Sequence, residues 1–210
     1  MSSHPSSPGA LAVTDDLFFK RPEALLARDE AESLTRDALD GMDDGELFLE
    51  YRESEGISLD DGVIRSASFD NSCGFGLRSV LGEETGFAHS DDLSRSALKR
   101  AVEAVSAVRA GRSGTLAAPP RSTNTRLYTD ANPLGETDFA ARSGLLSKID
   151  AHALGQDSRV VQVMALLPGE WQPVLIIPPD GVPVADLRPF VRLNLSVLVA
   201  QGRKPATGHH

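Results

Sequence analysis

Apolar and polar side chains alternate with period two over several stretches of this chain, and recur with helical spacing over three others. At residues 46–51, Leu47, Leu49 and Tyr51 alternate against Glu46, Phe48 and Glu50, which predicts a first strand. Residues 57–94 carry the clearest succession of elements. Ile57 and Leu59 lead into Asp61-Gly62, and residues 63–69 return beside them. An Asp-Gly pair suits a two-residue type I′ turn, because both central positions need positive φ. Cys73, Phe75, Leu77 and Ser79 then alternate with Gly74, Gly76, Arg78 and Val80, so one face carries bulk and the other bare backbone. Gly82-Glu83-Glu84 turns the chain again and residues 85–89 return. The stretch therefore predicts two consecutive hairpins.

Helical spacing appears on both sides of them. Residues 14–39 predict one or two amphipathic helices, with Pro22 as a first-turn residue, 23–39 as the better-defined piece and Gly41 as the stop. Before them the Ser/Pro-rich start offers little apolar surface, and residues 1–13 are expected to be disordered. After the hairpins, Asp91 or Asp92 is placed as the N-cap of a helix through Arg109, with Leu93, Ala97, Leu98, Ala101, Val102, Val105 and Val108 on one stripe. Residues 110–124 are rich in Gly, Ser, Ala, Pro and Thr and read as a connector, either between lobes or as a long surface loop. Residues 136–154 predict another helix, with Glu136 or Thr137 at its start and Gly155 at its stop. Three strands follow, at 159–167, 171–177 and 187–200, punctuated by Pro168-Gly169 and Pro178-Pro179-Asp180-Gly181. In the last of them Val191, Leu193, Leu195, Val197 and Val199 share one face, and a regular apolar strand of this kind tends to recruit a partner. Residues 201–210 are expected to be a flexible tail. The expected fold is α+β, a twisted antiparallel sheet with two long helices on one face and a short helical N-terminal extension.

Composition narrows the function. The 210 residues include 30 acidic and 21 basic side chains, for a net charge of -9, with no basic stripe of the kind nucleic-acid binders carry. No segment approaches the roughly twenty apolar residues that cross a bilayer. Neither nucleic acid nor membrane is an expected partner. Cys73 is the single cysteine, so no internal disulfide can form. The first residues lack the basic and apolar regions of a secretory signal, and a cytoplasmic location is the simplest expectation.

Candidate chemistry is sparse. Gly74-x-Gly76 lacks the third glycine of a nucleotide fingerprint and leads into a strand, so backbone crowding explains it better. Asp91-Asp92 reads as helix capping rather than metal binding. His89 beside it reads as a structural histidine, and His209-His210 carries no weight. Asp186, Arg188 and Arg192 are the candidate cleft or interface residues, since two arginines near one strand could hold a substrate carboxylate. The competing reading is a structural ion pair with a neighbouring acid. No G-x-S-x-G elbow frames any serine.

Three series also carry a resemblance: Leu59-Asp60-Asp61-Gly62-Val63, Gly74-Phe75-Gly76-Leu77-Arg78, and Gly86-Phe87-Ala88-His89-Ser90-Asp91-Asp92-Leu93-Ser94. Together they closely resemble the N-terminal domain of the TldD/PmbA family of zinc metallopeptidases. A second block, Asp180-Gly181, Ala185-Asp186-Leu187-Arg188-Pro189 and Val191-Arg192-Leu193, resembles the TldD branch. The resemblance spans about residues 45–200 and implies that residues 14–200 form the family's N-terminal domain. It also implies a full enzyme that pairs with a homologous TldD/PmbA-family subunit and cleaves peptides with a zinc-activated water. The zinc helix of that enzyme, with two histidines and a glutamate, has no counterpart among His4, His89, His152, His209 and His210. No catalytic, cofactor or metal residue is therefore expected in this chain. Its expected role is to wall the cleft and hold an extended substrate against a sheet edge. The alternative is a stand-alone non-catalytic module that pairs with a complete family subunit.

Overall fold

A computed structural model describes residues 8–22, 24–107, 129–135, 137–201 and 204–209. The elements in chain order are α1 (Pro8–Phe18), α2 (Arg28–Leu39), β1 (Asp44–Asp60), β2 (Val63–Leu81), β3 (Glu84–Ser90), α3 (Arg95–Ser106), α4 (Phe139–Gln156), β4 (Val160–Ile177), β5 (Val184–Val191), β6 (Asn194–Gln201) and β7 (Lys204–His209). The class is α+β, as the pattern predicts. The chain divides into two compact units whose segments interleave, because β1, β2, β4 and β5 each pass from one to the other.

The first unit takes its described residues from Met1–Arg52, Ser72–Asp130 and Gln172–Arg188. Its strands lie in the order β3-β2-β1-β4, with β5 on β4. Leu47, Leu49 and Tyr51 of β1 and Phe75, Leu77 and Leu81 of β2 are buried, together with Ala31, Ala38 and Leu39 of α2 and Ala97, Leu98, Ala101 and Val105 of α3. Each of the larger side chains contributes about 1.5–3 kcal/mol on full burial. Ser79 ties the layers together, its buried hydroxyl donating to the Val105 carbonyl at 3.2 Å. The β2–β3 turn puts Gly82 at φ 62 between Leu81 and Glu84, which face each other in the ladder. Glycine in the first central position is what a II′ turn requires.

The second unit takes its described residues from Glu53–Asn71, Ala131–Trp171 and Pro189–His210. Its strand order is β2-β1-β4-β6-β7. Leu146 of α4 packs on Ile57, Leu59 and Ala165, with Ile64, Leu167 and Leu195 around them. Asp61 at φ 51 and Gly62 at φ 72 give the type I′ geometry that the Asp-Gly pair predicts, and the Asp61 amide donates to Val163 at 3.0 Å. Arg142 of α4 is held by Glu55 at 2.8 Å, and its Nη1 donates to the Leu134 carbonyl at 2.8 Å.

Several boundaries differ from the pattern. Helix α1 begins at Pro8, inside the stretch expected to be disordered, because Thr14 satisfies its buried hydroxyl on the Ala10 carbonyl at 3.0 Å and Phe18 is buried. The cap of α3 is Ser94, not Asp91 or Asp92; Ser94 accepts from the Ala97 amide and donates to Asp92 at 2.9 Å. Asp138 caps α4, and Gly155 stays inside that helix. The strands predicted at 159–167 and 171–177 are one, since Pro168 keeps its acceptor role and takes the Arg192 amide at 3.0 Å. That same bond falls where the strand predicted at 187–200 breaks into β5 and β6. Residues 204–209 form β7 against β6, where a flexible tail was expected. The expected connector, as far as residue 124, lies outside the described residues.

Candidate functional site

One face of the β1-β2-β3 ribbon in the first unit is buried, and alternation puts a different set of residues on the other. Glu46, Phe48 and Glu50 of β1 lie opposite the buried Leu47, Leu49 and Tyr51, and Gly74, Gly76 and Arg78 of β2 lie opposite Phe75, Leu77 and Ser79. Phe87 and His89 of β3 complete this second face, which forms an open groove of about 490 Å³ ending at Asp91.

Its floor is bare backbone for a steric reason. A Cβ on Gly76 would stand 3.2 Å from Phe87 Cε2, and one on Gly74 would stand 2.8 Å from the Ser90 carbonyl oxygen. The missing side chains therefore let the Phe87 ring lie down across β2 and let β3 approach. Phe87 remains 64% exposed and stacks on His89, with ring centroids 5.8 Å apart and planes at 28°. The result is a flat aromatic shelf open to solvent.

The charge around the shelf is acidic. Arg78 donates to Glu46 through Nε and Nη2, both at 2.7 Å, and to Asp44 at 2.6 Å. The hydrogen bonds it donates to Glu46 first and to Asp44 next raise the guanidinium above its ordinary value. Two carboxylates thus offset this one cation. Glu50 accepts from the neutral Gln172 amide at 2.9 Å. Burial pushes the Cys73 thiol up, against the smaller opposing effects of Arg21 and the Gly74 amide. A thiol so placed stays protonated near neutral pH and is a poor nucleophile.

The second unit offers a different feature. β3 pairs with β2 only along Phe75 to Leu81, so among the described residues the earlier part of β2 has a strand neighbour, β1, on one side alone. From residue 65 to residue 71 every side chain there is exposed, Phe69 at 61%. An edge of this length presents unpaired amides and carbonyls to an extended chain.

Of the residues singled out from the sequence, Asp186 and Arg188 both lie on β5 and pair with each other at 2.8 Å. Arg192 is exposed in the break after β5 and belongs to the other unit. His89 lies on the shelf. The sequence signal of the groove is Gly74-x-Gly76 on a strand one turn from Phe87 and His89. Among the described residues, no group of three or more His, Cys, Asp or Glu side chains could hold a metal ion. They do not fit a catalytic zinc site, which needs about three converging protein ligands. No described helix is long and apolar enough to cross a membrane.

Residues 45–109 match the family model for PmbA/TldA metallopeptidase domain 1. The chain is 35% identical over 170 residues to the metalloprotease TldD homolog of Haemophilus influenzae, covering 80% of this chain and 35% of that protein. It is 31% identical over 168 residues to the metalloprotease TldD homolog of Buchnera aphidicola subsp. Acyrthosiphon pisum, with 80% and 35% covered. The chain thus spans about 35% of the length of these curated relatives. The crystal structure of TldE from Thermococcus kodakarensis is similar in fold, with a TM-score of 0.66 at 16% identity over 86% of this chain and 42% of that one.

Proposed function

Because the chain belongs to the TldD/PmbA metallopeptidase family and carries its first domain, we propose that it serves a peptide-cleaving zinc enzyme as the part that walls the substrate cleft. In that role it binds an extended peptide and supplies no catalyst. The observation that carries the reading is the exposed edge of β2 in the second unit. Main-chain hydrogen bonding to such an edge holds a peptide in extended form with little regard to sequence. The zinc and the general base belong to other residues of the complete enzyme, and a homologous TldD/PmbA-family subunit is its assembly partner.

The reading is tested by adding a labelled, unstructured peptide to the purified chain and to an Ala67→Pro variant. Val80 turns its carbonyl toward β1, where the Asp43 amide donates to it, so by alternation Ala67, exposed on β2, turns its amide to the open side, and proline removes that backbone donor from the edge. Saturable binding that the variant weakens supports the proposal. Absence of binding by the wild-type chain, or equal binding by both, refutes the edge as the peptide site.

A further inference from the structure

The groove of the first unit has a chemistry that the sheet edge lacks. Phe87 offers an exposed ring face supported from below by the Gly76 backbone. Among the described residues that line the groove, Arg78 is the one permanent cation, and Asp44 and Glu46 already hold it. Glu50 and Asp91 stand at the same groove without a basic partner in its lining. In the ladder Arg78 stands opposite Phe87 and Gly76 opposite His89, so Glu50 and Asp91 lie further along the groove than the ring. A basic segment that spans both is attracted to the ring through its quadrupole and to the acids through charge.

We propose that this groove binds a basic segment of a peptide, with one arginine or lysine head over Phe87 and a second facing Glu50 and Asp91. The occupant is a cationic peptide rather than an anionic or neutral one. A free nucleotide or phosphate meets like charge here. A purely apolar segment leaves the two carboxylates without a partner. The inference rests on the proposed function only in calling that peptide a substrate; the binding preference stands on the groove alone.

The test compares three fluorescently labelled pentapeptides of one length, carrying two arginines, two glutamates or only alanines, by anisotropy against the whole chain. Each exposed cation–π or charge contact is worth a factor of roughly two to five. The arginine peptide should therefore bind about tenfold tighter than the alanine peptide, and the glutamate peptide weakest. The preference should collapse as salt rises from low to high, since exposed charges are screened. Phe87→Ala should lower the arginine preference by roughly three- to fivefold. Glu50→Gln should lower it by roughly two- to threefold while still accepting the Gln172 amide. Both positions are exposed or half-buried, and a circular dichroism spectrum matching the wild type establishes that each variant folds.

Equal affinity for the arginine and alanine peptides overturns the inference, and so does a preference that survives both substitutions. If all three peptides bind equally and only Ala67→Pro weakens them, the edge reading holds and the groove inference fails. If the arginine preference needs Phe87 and every peptide binds Ala67→Pro as it binds the wild type, the inference holds and the edge reading fails.

Discussion

Two glycines on one strand, two residues apart, should respond oppositely to the same substitution. At Gly74 an alanine Cβ would stand 2.8 Å from the Ser90 backbone oxygen, where one of two hydrogen-bonded strands must move. Forcing atoms into packed backbone costs about 1–3 kcal/mol. At Gly76 the nearest atom is Phe87 Cε2 at 3.2 Å, the end of a side chain that is 64% exposed and can lift away. Replacing glycine where φ is compatible gains about 0.4–1 kcal/mol by restricting the unfolded chain, and neither glycine has a positive φ. Gly74→Ala should therefore lower stability by about 1–2 kcal/mol net, and Gly76→Ala should leave it unchanged or raise it by up to about 1 kcal/mol. In urea unfolding the midpoint should shift with the slope preserved. A domain of this size moves about 2–4 °C per kcal/mol in thermal unfolding. Equal destabilisation by both, or a larger loss at Gly76, would refute the claim that Phe87 lies on β2 as a movable shelf.

Further outcomes follow from the caps and the titrating groups. Ser94→Ala removes the side chain that accepts the Ala97 amide and should cost about 1 kcal/mol by thermal unfolding, whereas Asp91→Ala should cost much less. Cys73 should react with a thiol reagent more slowly than the same cysteine in urea. Its pH midpoint should be higher when folded, because burial disfavours the thiolate; the sign means that this group lowers stability as pH rises past the unfolded thiol's value. Asp157 is held down to about 2 by the Arg159 side chain and amide. Its contribution should therefore be complete above the ordinary carboxylate range and lost as pH falls through about 2. A carboxyl NMR titration that finds Asp157 at the ordinary value would contradict that contact.

The hairpins were legible because turn chemistry is local. Asp61-Gly62 and Gly82 determine where the chain reverses, whatever surrounds them, and both have the positive φ that the pattern demands. Caps were less legible, since Asp91, Asp92 and Ser94 all suit an N-terminus and only the helix's first turn selects Ser94. Prolines misled in the other direction. Pro168 looked like a stop, yet the acceptor it retains is used by Arg192 from a segment 24 residues later, a contact no local pattern contains. The groove is half visible: its glycines mark close backbone approach, but the ring that lies over Gly76 comes from another strand. Asp186 and Arg188 were singled out for charge alone, and i,i+2 spacing on one strand accounts for their pairing.

The most direct test of the account is the fate of a bound peptide. The purified chain is incubated with an unstructured arginine-containing peptide and equimolar zinc, with and without a chelator, and the peptide is followed by mass spectrometry. The account predicts a peptide that stays intact in both samples. Cleavage that the chelator abolishes, absent from a mock preparation, would contradict it.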